Sequence, residues 1–171
     1  MSTLATEALA HLDALFHVAR YLTGDDGAAE DLVQETYARA LGAEASFARG
    51  TNLRAWLMRI LRNAFIDQTR RDRRGVVRGG LDADDVPDEI DEPLRGDGEM
   101  ERLRTLVAAD LEKALLDLSP DARATILLDL EGLSEAELAE AMGCAPGTIK
   151  SRLARARSAL RARLAAYGRE S

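Results

Sequence analysis

The sequence predicts an all-α protein with two small helical domains, on the basis of two observations. Valine and isoleucine together number only 11 of 171 residues, whereas alanine, leucine, arginine and glutamate dominate, and this composition favours helices over pleated sheet. Apolar residues recur at helical spacing on both sides of a segment that is rich in glycine and acidic residues and lacks such a period. We therefore expect domains at residues 1–74 and 100–171, joined by a flexible acidic linker at 75–99.

Composition also excludes several classes of protein. No stretch reaches the roughly 18 to 20 apolar residues that a membrane span needs, and the N-terminus lacks the basic start and apolar core of a secretory signal. Cys144 is the single cysteine, and His11 and His17 form no recognised metal-ligand spacing with it. We therefore expect a cytoplasmic protein without membrane insertion, disulfide, metal site or cofactor, in which Cys144 is a small apolar turn residue.

The net charge of −7 averages over blocks of opposite sign. Residues 1–48 hold eight acids and two bases, whereas residues 49–78 hold nine arginines and two acids. Residues 110–143 carry nine acids against two bases, and residues 144–169 carry seven bases and no acid. Two basic segments in an acidic protein predict two contacts with a polyanion.

Three helices are predicted in the first domain. The first ends at the turn of residues 23–26, which offers a carboxylate to cap the second, and the third begins after Gly50 with Thr51 or Asn52 as its cap. Their apolar stripes are formed, in order, by Leu9, Leu12, Phe16, Ala19 and Leu22; by Leu32, Val33, Thr36, Tyr37, Ala40 and Leu41; and by Leu53, Trp56, Leu57, Ile60, Leu61 and Ala64.

Six of the seven aromatic residues also lie in this domain. We expect Phe16, Tyr21 and Phe65 to fill its core. Phe47 and Trp56 flank a loop that is rich in hydrogen-bond donors and is followed by many arginines. Two roles stay open for this pair: core packing, or stacking of bases from an unpaired strand.

Four helices are predicted in the second domain. After a first helix over roughly 103–118, the sequence Ser-Pro-Asp at 119–121 provides a cap, a first-turn proline and a first-turn acid for the next helix. Ser134 and Glu137 have capping-box spacing for a short third helix, and Pro146 opens the last one.

The last two helices form a helix-turn-helix pattern. Ala139 is small where the two helices approach, Gly143 lies in the turn, and Ile149 packs between them. The outer face of the last helix carries donors suited to phosphates and to guanine edges in a major groove. These donors are Thr148, Lys150, Ser151, Arg152 and Arg155. The alternative is an arginine-rich face that contacts only solvent.

Three segments, taken in order, resemble a known family. They are AEDLVQETY at 29–37, GTNLRAWL at 50–57 and PGTIKSRL at 146–153. The chain is similar in these segments to the extracytoplasmic-function (group 4) sigma factors of the sigma-70 family, over both predicted domains. The resemblance implies sigma regions 2 and 4, and a factor that binds core RNA polymerase and directs transcription initiation without being an enzyme.

The resemblance also implies the site residues. Region 2 would dock on the clamp helices of the β′ subunit, and region 4 on the β flap. The candidates for core polymerase binding are Asp31, Leu32, Gln34, Glu35 and Tyr37. The candidates for reading the -10 promoter element as a melted strand with a flipped base are Phe47, Asn52, Arg54, Trp56, Arg59, Arg62 and Asn63. The five donors of the last helix would read the -35 element as duplex DNA.

Further partners follow from the same resemblance. Sigma factors of this kind are commonly held inactive by an anti-sigma factor, so we expect such a partner, together with a role in stress response. The acidic linker either passes through the polymerase toward the RNA exit path or is a solubilising tether.

Two rival functions come from other classes. A stand-alone helix-turn-helix regulator would bind duplex DNA, usually as a dimer, but it leaves the first 75 residues without a purpose. A hydrolase would use the carboxylates at 25–31 for metal, yet these fit caps and helix dipoles better, and no phosphate-binding glycine loop is present.

Overall fold

The computed structural model describes the backbone of residues 3–75 and 100–167 and the side chains of residues 3–75 and 108–166. Within these ranges the chain forms α-helices and one 3-10 turn, Glu44–Ser46, without a strand, which confirms the all-α prediction. The predicted linker lies outside the described residues except for Gly75. The helices are α1 (Leu4–Leu9), α2 (Leu12–Thr23), α3 (Asp26–Gly42), α4 (Leu53–Gly75), α5 (Met100–Leu116), α6 (Pro120–Leu130), α7 (Glu135–Met142) and α8 (Pro146–Tyr167).

The N-terminal segment differs from its prediction, because two helices stand where one was expected. The chain turns at Ala10 and His11, so Leu9 ends α1 and Leu12 begins α2. Both leucines are largely exposed, at 60% and 42%, instead of extending the buried stripe of α2. Leu41, in the last turn of α3, is also half exposed and does not share the buried face of that helix.

Helix ends follow the local sequence signals. Gly24 ends α2 in the left-handed region with a φ of 74°, and the Asp25 carboxylate accepts the Ala28 N–H at 2.8 Å to cap α3. Ser134 Oγ accepts the Glu137 N–H, while Glu137 Oε2 accepts the Ser134 N–H at 2.8 Å. The predicted capping box of α7 is thus confirmed.

The helix-turn-helix prediction is confirmed by α7 and α8. Gly143 turns the chain between them with a φ of 64°, and its conformation suits the sharp exit from α7. Ala139 and Ile149 are both buried where the two helices pack. The turn at Gly143 and the buried apolar contact between α7 and α8 therefore fix the orientation of the outer face of α8.

The two halves of the chain pack against each other. α4 contacts α6 and α7, and α2 contacts α5 and α6, so the buried residues form one continuous cluster. A Cβ at Gly24 would lie only 2.9 Å from the Leu116 side chain, which shows how closely α2 and α5 approach.

Candidate nucleic-acid interfaces

The first candidate interface is the N-terminal part of α8. Lys150, Ser151 and Arg155 are exposed there, whereas Thr148 and Arg152 are partly buried. The Lys150 side chain is 72% exposed, and its Nζ lies 3.7 Å from Glu135 Oε2, too far for a hydrogen bond. All five predicted donors therefore lie on the same N-terminal segment of one helix, and three of them are exposed to an external partner.

The second candidate interface is the basic face of α4. Asn52 begins this helix, because its Oδ1 accepts the Ala55 N–H at 3.2 Å. Its Nδ2 donates to Glu137 Oε1 at 3.0 Å, and Arg62 Nη2 donates to Asp121 Oδ1 at 2.6 Å. The same face forms two further ion pairs, Arg54 with Glu131 and Arg59 with Glu140. Four predicted DNA-binding residues thus contact acids of the second half of the chain.

Two of these arginines are incompletely bonded. The Nε atoms of Arg54 and Arg62 are inaccessible to solvent and find no acceptor among the described residues. Asn63 Oδ1 accepts from Arg62 Nη1 at 3.2 Å, so it joins the same cluster while remaining exposed. The acidic partners therefore accept only some of the hydrogen bonds that the basic face of α4 can donate.

Phe47 and Trp56 contact each other. Their ring centroids lie 5.1 Å apart with an interplanar angle of 49°, and both side chains are partly buried. Trp56 packs against the hydrophobic core, while Phe47 follows the 3-10 turn before the loop. One ring of the pair is therefore anchored against the core, and the other packs against it nearer the surface.

The third candidate surface lies on α3. Asp31 and Gln34 are exposed, and Glu35 is partly exposed while its Oε1 accepts from Arg39 Nε at 2.8 Å. Leu32 is completely buried, and the Tyr37 hydroxyl donates to Ala8 O at 2.8 Å. Burial also raises the pKa of the Tyr37 hydroxyl above its ordinary value. In this conformation Leu32 and Tyr37 fix α3 in the fold, and the three polar groups form its surface.

A basic groove lies beside this surface. It has a volume of about 350 Å³ and is lined by Arg39, Asp67, Arg70, Arg71 and Arg74. Arg39 Nη1 donates to Asp67 Oδ2 at 2.7 Å, and this bond with its charge lowers the pKa of the Asp67 carboxyl. The arginine run at 70–74 was the sequence signal for the groove, although the sequence alone did not show that α3 closes one side of it.

Sequence reasoning missed a buried arginine between the two halves. Arg123 is 8% exposed, and its guanidinium donates to the backbone oxygens of Leu115, Leu116 and Leu118 and to that of Leu22 on α2. It also lies over the Phe65 ring, 5.9 Å from the centroid. Burial lowers the pKa of Arg123. No local pattern marks this residue, because its partners come from the ends of α2 and α5 and from the loop that follows α5.

Other kinds of site are not found in the described ranges. No group of three or more Asp, Glu, His or Cys side chains there is placed to hold a metal ion. None of the helices described above combines the length and apolar character that a membrane crossing requires.

Two family models match the chain. The model for sigma-70 region 2 matches residues 8–75, and the model for sigma-70 region 4 matches residues 108–160. Among curated relatives, the ECF RNA polymerase sigma factor EcfG of Rhodopseudomonas palustris is 39% identical over 98% of this chain and 88% of its own length. The chain belongs to the extracytoplasmic-function family of RNA polymerase sigma factors. Sigma factors are transcription initiation factors and not enzymes, which removes the hydrolase alternative.

Other relatives support the same family. The ECF sigma factor SigE of Mycolicibacterium smegmatis is 35% identical over 94% of this chain, which spans 61% of that relative's length. The solved structure of the sigma factor RpoE from Bartonella quintana, in complex with the anti-sigma factor NepR, has a TM-score of 0.67 at 38% identity and is matched over 92% of this chain and 94% of its own. CnrH, solved with the cytosolic domain of CnrY, has a TM-score of 0.63 at 26% identity, over 95% and 88%.

Proposed function

We propose that this sigma factor directs core RNA polymerase to two-part promoters, with α8 reading the -35 element as duplex DNA and α4 binding the -10 element as a melted strand. The observation that carries the proposal is the open face of α8, which follows a helix-turn-helix and presents Lys150, Ser151 and Arg155 to the outside. Such a helix fits a major groove, where arginine and lysine meet guanine edges and phosphates.

Reading of a melted -10 element is supported by the composition of the α4 surface. Arg54, Arg59 and Arg62 provide charge for phosphates, and the Phe47–Trp56 pair provides a platform for an unstacked base. A factor without nucleotide hydrolysis has to open DNA by binding the single strand more tightly than the duplex. Unstacking costs a few kcal/mol, and stacking on an aromatic ring returns about 1–3 kcal/mol per base.

The exposed polar groups of α3 fit a contact with the core enzyme. Asp31, Gln34 and Glu35 form an acidic surface that suits a basic partner helix, the clamp helices of β′ by family resemblance. Leu32 and Tyr37 support that surface from inside, since one is buried and the other is bonded to Ala8. Region 4 would contact the β flap in the same complex.

An anti-sigma partner and a cytoplasmic location belong to the same proposal. The similar sigma factor RpoE was solved with the anti-sigma factor NepR, and the similar protein CnrH was solved with the cytosolic domain of CnrY. We propose that an anti-sigma factor also binds the present chain. We also propose that the chain acts in the cytoplasm, where RNA polymerase and the chromosome are found.

The alternative is a stand-alone regulator that uses only the α7–α8 unit. Only the open face of α8 favours this alternative, and the alternative assigns no role to the clustered arginines of α4. Transcription with purified core polymerase on a promoter library separates the two. If the chain is a promoter-directing factor, we expect RNA starts that appear only when the chain is added. Binding of duplex DNA as a dimer, with no core binding and no new starts, would favour the regulator.

The core contact is tested in the same assay. Asp31→Ala and Gln34→Ala remove exposed groups of α3, and we expect both to weaken core binding and to reduce starts. Glu30→Gln is the matched control, because Glu30 is exposed on the same helix and is not among the contact candidates. Equal loss in the control would place the core contact elsewhere.

A further inference from the structure

Three charged side chains in a row join α3 to the C-terminal part of α4. Arg39 Nε donates to Glu35 Oε1 at 2.8 Å, one turn earlier on α3, and Arg39 Nη1 donates to Asp67 Oδ2 at 2.7 Å on α4. Glu35 is one of the acids proposed to contact core polymerase, whereas Arg39 and Asp67 have no role in that proposal. The row thus connects a proposed contact residue to the helix against which α3 packs.

The geometry of the two bonds requires an arginine. A guanidinium is planar and presents its donors in a fixed fork, so its Nε edge faces one carboxylate while an Nη atom faces another. A lysine ammonium is a compact charge on a flexible stem and lacks this fixed geometry. Glu35 also precedes Arg39 by four residues, which is the favourable order for such a pair on a helix. Arg39 therefore holds the two carboxylates in a defined relation to each other.

Asp67 anchors Arg39 to the body of the domain. Its bond is the largest cause of the raised pKa of Arg39, ahead of the bond to Glu35. Leu61 and Ala64 precede Asp67 on α4 and are completely buried, so the backbone that carries Asp67 is fixed against the core. The aspartate side chain is also shorter than that of glutamate, which ties its carboxylate more closely to the backbone.

The Glu35 carboxylate keeps one oxygen for an external donor. Oε1 accepts from Arg39, and no hydrogen bond to Oε2 is found within the described ranges. The Glu35 side chain is 42% exposed, which allows a partner to reach the carboxylate. A free surface glutamate has to be ordered when it binds, and this ordering reduces affinity. A carboxylate that Arg39 already holds loses less freedom on binding.

We infer that Arg39 is a positioning residue of the core contact, which holds the Glu35 carboxylate for the partner and is itself anchored by Asp67. The inference rests on the proposed function, because Glu35 enters it as a contact residue for core polymerase. The effect of Arg39 passes through Glu35, so it should disappear when the Glu35 carboxylate is absent.

Arg39 has a second effect on the same contact, opposite in sign. Its positive charge beside an acidic surface weakens the long-range attraction of a basic partner, so removal of the charge should speed association at low salt. Loss of positioning acts after the two proteins have met and should speed dissociation. A substitution that merely loosens the fold would not divide between the two rates in this way.

The test measures both rates for the full chain on immobilised core RNA polymerase, over a series of salt concentrations. Arg39→Met should dissociate about two- to tenfold faster than wild type, the range expected for ordering one side chain, and should associate faster at low salt. Arg39→Lys keeps the charge, so it should associate like wild type and still dissociate faster. Asp67→Asn keeps Arg39 but weakens its anchor, and it should increase the dissociation rate by a smaller factor.

Two matched controls remove the same charges from neighbouring positions. Arg73→Met changes an exposed arginine in the last turn of α4 that does not line the basic groove, and Asp72→Asn changes the exposed acid beside it. Both should dissociate at nearly the wild-type rate, because neither contacts Arg39 or Glu35. Circular dichroism and thermal unfolding establish that every variant is folded at the temperature of the assay.

A double-mutant cycle decides whether Arg39 acts through Glu35. In a Glu35→Ala background, Arg39→Met should no longer speed dissociation. An equally large increase in that background would overturn the inference, as would no increase in the wild-type background or an equal increase in the controls.

The same assay separates this inference from the proposed function. Faster dissociation of Asp31→Ala together with an unchanged rate for Arg39→Met would support the core contact of α3 and overturn the role of Arg39 alone. A wild-type chain that does not bind core polymerase would reject the proposed function, and the positioning role with it.

Discussion

Arg62 reaches from α4 to the first turn of α6, where its Nη2 donates to Asp121 Oδ1 at 2.6 Å across 59 residues of sequence. Its side chain is only 14% exposed, and its Nε has no acceptor among the described residues. A residue that family resemblance assigns to promoter DNA is therefore held by a carboxylate of the other half. This relationship links the DNA surface to the conformation of the whole chain.

Arg123 should be the most sensitive charged residue for stability. Arg123→Leu leaves four backbone oxygens near the helix ends without their donor, and we expect a loss of about 3 kcal/mol in the free energy of unfolding. Urea unfolding of the full chain measures it. Arg161→Leu, at an exposed position of α8, is the control and should change stability by less than about 0.5 kcal/mol. Similar values for both variants would contradict the account.

The capping box of α7 should stabilise the helix-turn-helix. Ser134→Ala removes the acceptor for the Glu137 N–H and should cost about 1 kcal/mol, whereas Ser134→Gly should cost only a few tenths. Thermal unfolding of the two variants compares these values. An alanine variant as stable as the glycine variant would show that the cap contributes little.

The Asp67 carboxyl should make stability depend on pH. Arg39 holds its pKa below the ordinary value, so its stabilising effect is present above the unfolded pKa of about 4 and is lost as pH falls through the folded pKa. Asp67→Asn should lower stability at neutral pH and flatten the decline in acid. Urea midpoints over a pH series measure this. The difference should become much smaller in an Arg39→Met background; a difference of full size there would point to another partner.

Phe47 should contribute to opening of the promoter and little to folding. Phe47→Ala removes the outer ring of the aromatic pair, and loss of one stacked base costs about 1–3 kcal/mol in affinity for the melted strand. Open-complex formation with core polymerase measures the effect, and Phe47→Tyr should retain most of the activity. A normal open complex with the alanine variant would place the base pocket elsewhere.

Lys150 should act on duplex DNA as a phosphate contact. Lys150→Ala should weaken binding about equally across sequences and reduce the salt slope by about 1. Lys113→Ala removes the same charge from an exposed position of α5 and is the control. The slope is measured by fluorescence anisotropy with duplex DNA, and equal slopes for the two variants would contradict the assignment.

The helix-turn-helix and most helix ends were predictable because their signals are local. Ser134 and Glu137 are three residues apart at the start of α7. Gly143 ends that helix, and Ile149 lies in the first turn of α8. The break at Ala10 and His11 was missed because neither residue is a glycine or proline, and the leucines on both sides keep the helical period. Their exposure follows from that change of direction.

The contact between the two halves was not predictable in the same way. Arg59 and Glu140 are 81 residues apart, and the two blocks of opposite charge to which they belong indicate attraction without indicating register. Register is set by Arg123 and by the close approach of Gly24 and Leu116, which depend on tertiary packing. Sequence therefore predicted the surfaces and their charge, and the structure added which surfaces meet.

The central claim, that α8 and α4 read different parts of one promoter, is tested most directly by selection from a randomised promoter library with core polymerase. Starts are sequenced for wild type, for Arg152→Ala on α8 and for Asn63→Ala on α4. The account predicts a two-part motif in which the first variant relaxes preference only in the upstream element and the second only in the downstream one. A motif that changes in the same element for both variants, or no core-dependent motif at all, would contradict it.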